Sequence, residues 1–416
     1  MTFFLRLIGI SAALLALAAP AAAAEIVYPS FMWQEPNNAP FLNLLKKTFE
    51  QENAGVAVKD VFVPQATFWD KQFTDVTAGN PADIVTLYDP DLKTYVENNL
   101  LEPLDAYYAA AGIDTKKLVP SIALARKDGK TYAVPMQINA RALFYNDRIF
   151  KDAGLQPPKS FDEFQAAIRK LKKPEVQQFG YATVSKPGNT GVFYIEVMPI
   201  IVGFNGVGFF RNGKPIASAP ETVAGLQFIK TAYDEQLIPR GMEIPQYRQL
   251  FAAGKVGMYV SGSFFAGLVA NTNKPTFEHL KAMAAPFPSG KTIAITVFLA
   301  VPKGSKNKEL AAKFLMRMLQ DDMQVAFLTS GKSHPGLVGK IPASFIQENP
   351  WFKPFEQVTL SARSYAPEGA EQYGAEIVKV IVGHLEAMLF NGVSAAETGK
   401  NLQQALEDLI AAKKNS

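Results

Sequence analysis

The residues of this chain that could do chemistry fall into two groups, and neither is equipped for covalent work. Planar amides, carboxylates and a guanidinium stand at Gln34, Glu35, Asp89, Gln137, Asn139 and Arg141, and aromatic rings at Trp33, Trp69, Tyr88 and Phe264. The first kind hydrogen-bonds hydroxyl edges and the second covers an apolar ring face, so together they suit a polyhydroxylated solute such as a sugar. Each has a structural alternative. Trp33 is equally placed to cover the first helix, Phe68 and Phe73 flank Trp69 as a candidate core pair, and Arg141 fits either a bidentate anion contact or an ion pair between lobes. Asn189, with Thr190 and Tyr194, belongs to a glycine-bearing stretch around 186–191 that suits a cleft edge or a solvent loop.

Catalysis is harder to build. There are three histidines and no cysteine; His279, His334 and His384 are isolated from one another in sequence, and His384 with Glu386 lacks metal-motif spacing. Ser261, Gly262 and Ser263 do not form a nucleophile elbow, and Gly203, Gly206 and Gly208 miss the third glycine of a dinucleotide fingerprint. A glycosidase needs only two carboxylates in a cleft, and Glu35, Asp89 and Glu196 are candidates, but no spacing pairs them. No catalytic residue, metal or cofactor is expected. A secreted carbohydrate-active enzyme is kept as an alternative.

The first 24 residues read as an address. Arg6 gives a positive start, 7–19 is apolar, and Ala22 to Ala24 supply the small residues of a cleavage site, so the mature chain is expected to begin at Glu25. The absence of cysteine leaves neither a disulfide framework nor a lipid-attachment thiol, which predicts a periplasmic protein that is not lipid-anchored. The later apolar run at 192–210 is interrupted by Glu196, Pro199, Gly203 and Asn205, so no second span is expected. Loss of 24 residues from 416 leaves 392, enough for two lobes. A net charge of +4, falling to +3 with Arg6, is too mild for a nucleic-acid partner.

Strand-like and helix-like patterns alternate and predict an α/β architecture with largely parallel sheets. Strands are expected at 25–30, 56–63, 84–87, 179–184, 256–260 and 293–301, with a helical stripe at Phe41, Leu42, Leu44, Leu45 and Phe49. Helices are also expected from Pro220, over 309–319 and over 401–410, and Asn212-Gly213 marks a hairpin. Trp33 to Glu35 and Tyr88-Asp89 fall beyond strand ends, where ligands gather in open α/β sheets. The stretch 129–164 sets two strand-like runs around Met136 to Asn139, then a helix start, Pro157-Pro158, and Ser160 to Glu163 with capping-box spacing. Gln137, Asn139 and Arg141 thus lie on an extended crossover between two lobes.

That stretch resembles the extracellular solute-binding proteins of ABC importers, the family of the maltose-binding protein. Gly129-Lys130 followed by Tyr132 to Pro135 is similar to its GK-x-YAVP run, Tyr145-Asn146 to its YN strand end, and Gly154-Leu155 onward to its GL-x-P-PKTWDEF helix start. Pro81 to Val85, Gly254 to Met258 and Lys306 to Ala311 resemble further family strands and a helix start, so the likeness spans most of the chain. The resemblance implies two discontinuous lobes joined by crossover hinge strands, 25–137 plus 299–342 and 138–298 plus 343–416. It implies a monomer that carries a small-molecule carbohydrate or polyol to an inner-membrane ABC permease; a polyamine, organophosphate or sugar acid is the alternative. It places Phe264 where the family stacks an aromatic on a sugar, Asn139 where the maltose-binding protein has a ligand-contacting carboxylate, Leu87 where it has a stacking Trp, and Arg363 with Tyr365 where the family returns a contact. The changes at Asn139 and Leu87 do not preserve a malto-oligosaccharide pattern.

Overall fold

The computed structural model describes residues 24–35, 37–186, 190–339 and 341–415. The signal peptide expected over 1–24 lies outside them apart from Ala24, and so does Asn189. The strands that matter are β1 (Ala24–Ser30), β2 (Val56–Phe62), β3 (Val85–Tyr88), β4 (Val134–Ala140), β5 (Ala142–Asn146), β6 (Phe179–Ala182), β7 (Val256–Ser261), β8 (Leu280–Met283) and β9 (Ile293–Ala300). β1 and β2 pair in parallel around α1 (Ala39–Glu52), which buries Phe41, Leu42, Leu45 and Phe49 and leaves Leu44 exposed.

Among the described residues three apolar cores form: two divide the chain, and a third gathers Ile138, Ala140 and Ala294 of the crossover with Val119, Leu328, Phe144, Tyr259 and Phe355. The first gathers residues between Ile26 and Met136 with others between Val297 and Leu337; the second gathers residues between Leu143 and Ile295 with others between Tyr365 and Ile410. β4 and β9 pair antiparallel, from Ala294 opposite Ala140 to Leu299 opposite Val134. Met136 and Val297 on these strands belong to the first core, whereas Ile293 and Ile295 belong to the second. The fold is therefore α/β with two discontinuous lobes joined by crossover strands.

The sheets are mixed rather than largely parallel. β9 is antiparallel to β3 and β4, and β5 is antiparallel to β7 and β8; β7 with β6 keeps the parallel pattern. The cause is the double crossing. β4 runs into the second lobe and continues as β5, and β9 runs back, so strands of opposite direction share each sheet.

Local signals account for several joints. Asn212 and Gly213 both adopt positive φ, 52° and 74°, and turn the strand at 210–211 back onto 214–215, as a primed hairpin turn requires. Helix α2 (Gln65–Thr77) leads back to β3. At α3 (Phe161–Leu171) the Ser160 hydroxyl accepts from the Glu163 N–H at 3.2 Å, while the Glu163 carboxylate turns to the Lys159 N–H at 2.6 Å, so only half of the expected capping box forms. The apolar helix α4 (Thr190–Asn205) crosses the second core. The chain after β7 does not stay extended but enters α5 (Phe264–Thr272).

Asp83, 5% exposed, is a joint of the first lobe. Its carboxylate accepts from the Val27 N–H at 2.9 Å, the Ser305 hydroxyl at 2.7 Å and the Asn307 N–H at 3.2 Å, tying β1, the approach to β3 and the chain leaving β9. Hydrogen bonds to a buried charge contribute about 1.5–3 kcal/mol, and their loss strands donors. Asp83→Ala should lower the unfolding free energy of this lobe by about 3 kcal/mol, read by denaturant titration of the fluorescence of Trp33 and Trp69. A change below about 1 kcal/mol would contradict the assignment.

Candidate functional site

The first wall of the cleft is set by Gln72 of α2. Its amide donates to the Thr86 carbonyl at 2.8 Å and accepts from the Thr86 N–H at 2.9 Å, a two-point clamp onto β3. The clamp brings Trp69 against Tyr88, with ring centroids 4.7 Å apart and planes at 46°. Trp69 meets Phe68 and Phe31 edge-on at 5.0 and 5.7 Å, so one side of the half-buried indole closes the core and the other extends to Tyr88. Trp33 is different. It is 7% exposed, its indole N–H donates to the Tyr28 carbonyl at 2.8 Å, and it packs on the Tyr28 ring. The expectation of a Trp33 ring facing solute is corrected: the short 3-10 turn Phe31–Gln34 after β1 folds the indole back onto the strand, and only Gln34 of that turn is exposed. Glu35 is half-buried and accepts from the Asn38 amide at 2.7 Å; burial raises its pKa despite that bond.

Asp89 opens the helix Asp89–Glu97 and is fully buried. Its Oδ1 accepts from the Thr296 N–H of β9 at 2.9 Å, and the Ser364 hydroxyl lies beside the carboxylate. Burial pushes its carboxyl up to about 7, against the Ser364 hydroxyl and the Thr296 N–H, which favour the anion. Burial likewise lifts Asp91 to about 6. Across from them stands Tyr365 of the second core, whose phenol is raised by burial and by the charges of Asp89 and Asp91, and whose carbonyl accepts from the Tyr194 hydroxyl at 3.0 Å. Arg363 is exposed and is not drawn into this group; its backbone extends β9 through the Thr292 carbonyl at 2.9 Å.

Along the crossover the strand period of two sets Gln137, Asn139 and Arg141 on one face. Gln137 and Arg141 are 5% and 4% exposed, and the Gln137 Oε1, Asn139 Oδ1 and Arg141 Nη1 atoms are buried without partners among the described residues. The second wall begins at Arg141, whose guanidinium lies 5.9 Å from the centroid of the half-buried Phe264 ring. Arg248 lies 5.3 Å from the same centroid and donates to the Tyr259 hydroxyl at 3.0 Å. Buried Glu196 of α4 accepts from the Tyr247 hydroxyl at 2.8 Å and the Tyr259 hydroxyl at 3.1 Å, with Arg248 Nη2 at 3.5 Å. Between the lobes a cavity of about 430 Å³ runs from Phe264 and Asn271 of α5 to Asn37, Ser330 and Lys332 of the first lobe.

The structure places Trp69, Tyr88 and Asp89 together at the end of β3 with Glu35 close to Tyr88, and Gln137, Asn139 and Arg141 along the crossover with Phe264 beside Arg141; of these Phe264 lines the interlobe cavity, and Trp33 and Arg363 stand apart. Tyr247, Arg248 and Tyr259 escaped the sequence reading. The one available signal was Glu196, a lone charge in the apolar run of α4, which demands buried partners. Among the described residues no group of three or more His, Asp or Glu side chains is placed to hold a metal ion. Nor is any described helix long and apolar enough to cross a membrane. The arrangement can hydrogen-bond and stack on a solute.

The family model of bacterial extracellular solute-binding proteins matches residues 33–330, and the chain belongs to that family. Its members are binding proteins rather than enzymes. A binding protein of Brucella abortus is 31% identical over 327 residues, covering 76% of each chain. The diacetylchitobiose binding protein DasA of Streptomyces coelicolor is 25% identical over 264 residues, covering 60% of this chain and 59% of that one. The GacH receptor of Streptomyces glaucescens, solved unliganded and with acarbose, shares the fold with a TM-score of 0.80 at 21% identity, covering 94% of this chain and 99% of that one.

The raised Asp89 carboxyl has a signed consequence. A carboxyl that binds its proton more tightly when folded than at its ordinary 3.8 costs stability as pH rises from about 4 towards 7, and the cost then levels off. Asp89→Asn keeps the acceptor for Thr296 and removes the charge. The variant should melt higher than the parent at about pH 8, with the gain vanishing near pH 4, in thermal melts of ligand-free protein. A shift independent of pH would contradict the assignment.

Proposed function

We propose that this protein is the solute-capturing component of an ABC importer, taking a carbohydrate or polyol between its lobes and presenting it to an inner-membrane permease by hinge closure. The carrying observation is the run of partnerless buried polar atoms along the crossover, Gln137 Oε1, Asn139 Oδ1 and Arg141 Nη1, with the Phe264 ring beside Arg141. Burying a polar atom without a hydrogen bond is costly, and hydroxyls of a bound solute would supply the missing partners. The DasA relative is named for a disaccharide and GacH was solved with acarbose, which agrees with a saccharide. In this reading the hinge lies in β4 and β9, with lobes of 25–137 plus 299–342 and 138–298 plus 343–416. The protein works as a monomer in the periplasm, freed of residues 1–24 and carrying no lipid. Closure follows only to the extent that the solute binds the closed form better than the open one.

A cognate sugar at about 100 times its dissociation constant should stabilise the protein by about 2.7 kcal/mol without being consumed. Phe264→Ala removes the ring from the cavity wall and should weaken calorimetric affinity about tenfold, and Asn139→Ala should weaken it by stranding ligand hydroxyls. If both variants bind as the parent does while their ligand-free melting falls, the two residues serve packing and the cleft reading fails.

A further inference from the structure

We propose that the solute carries an anionic group, a carboxylate or a phosphate, held by the Arg141 guanidinium at the opening of α5; this rests on the cleft reading above and narrows the solute to an acidic sugar or polyol. The argument starts from charge. The second wall holds two guanidiniums, that of buried Arg141 and that of half-buried Arg248, whose side chain is 18% exposed, and one buried carboxylate, Glu196. Glu196 is already engaged by Arg248, Tyr247 and Tyr259, and no carboxylate lies within salt-bridge distance of Arg141 among the described residues. The Glu196 charge favours the Arg141 cation from a distance, but Arg141, 4% exposed, has no direct ion-pair partner among the described residues, and a buried charge without one is costly.

The surroundings of that charge are built for an anion. Arg141 Nη1 has no partner among the described residues and lies against Gly262, where an added Cβ would come within 3.2 Å of it and 2.8 Å of the Phe264 ring. The lack of a side chain at Gly262 leaves the guanidinium and the Phe264 ring room beside the turn ahead of α5. That turn is flanked by the hydroxyls of Ser261 and Ser263, 0% and 1% exposed, both without partners among the described residues. Ser263 caps α5 without using its side chain, so the positive end of a nine-residue helix adds its dipole to the guanidinium. Phe264, the first residue of α5, lines the interlobe cavity and also lies beside the Arg141 guanidinium.

The test uses calorimetry on the exported chain with matched probes: glucose against glucuronate and glucose 6-phosphate, and glycerol against glycerol 3-phosphate. The acidic member of a pair should bind at least about tenfold tighter than its neutral parent, and whether glucuronate or the phosphates gain more separates carboxylate from phosphate. The preference should shrink with added salt, collapse in Arg141→Met and survive in part in Arg141→Lys; should the Met variant not fold, the Lys variant and the salt dependence decide. Neutral parents binding as tightly as the acids, or a preference untouched by Arg141 substitution, overturns this inference alone. If no probe sugar or polyol binds, yet millimolar inorganic phosphate or sulfate raises the melting temperature through Arg141, the anion site stands and the carbohydrate reading falls. If neither occurs, both are overturned.

Discussion

Everything at the cleft hangs from the antiparallel pairing of β4 with β9. Because this ladder runs from one core into the other, each of its strands must satisfy apolar neighbours at both ends and still present polar groups between them. Met136, Ile138 and Ala140 join the cores, and the intervening Gln137 and Asn139 take the other face. Both walls are attached to this pair. β3 pairs directly with β9 and delivers Tyr88 and Asp89, and the Asp89 carboxylate accepts from Thr296 of β9 itself. On the other side β4 continues into β5, β5 pairs with β7, and β7 ends where α5 presents Phe264. On the proposed hinge reading, bending the pair would move two intact walls rather than individual side chains.

The walls differ in electrostatic character. Burial raises the carboxyls of Glu35, Asp89 and Asp91 on the first lobe, Asp91 to about 6 and Asp89 to about 7. The second lobe carries guanidiniums over an aromatic ring, with a single carboxylate held among two tyrosines and Arg248. On the anion proposal a ligand would be oriented, with its acceptor-rich group at Arg141. Orientation of this kind discriminates between solutes even where the contact area is similar.

Much of this was legible in the chain. Alternating strands and helices, the hairpin at Asn212-Gly213 and the crossover motif around Gln137 are local signals, and local signals fix elements. The family likeness supplied the discontinuous lobes, which no periodicity encodes. Sheet direction was misread because alternation of strand and helix says nothing of a double crossing. Trp33 was misread for a related reason. Its position after β1 was right, but the direction of an indole depends on whether its N–H finds a partner, here the Tyr28 carbonyl. The polar group on Glu196 was illegible because Tyr247, Arg248 and Tyr259 meet it from other elements, 51 to 63 positions away along the chain.

The central claim is that one solute is gripped from both lobes at once, and hydrogen exchange with and without bound saccharide tests it most directly. Saturation should slow exchange together at the end of β3 and the start of the following helix, along the crossover after Met136, and at the opening of α5, with the outer helix Ala395–Asn415 unchanged. Protection confined to one lobe, or spread evenly over the chain, would contradict a ligand held between the two walls.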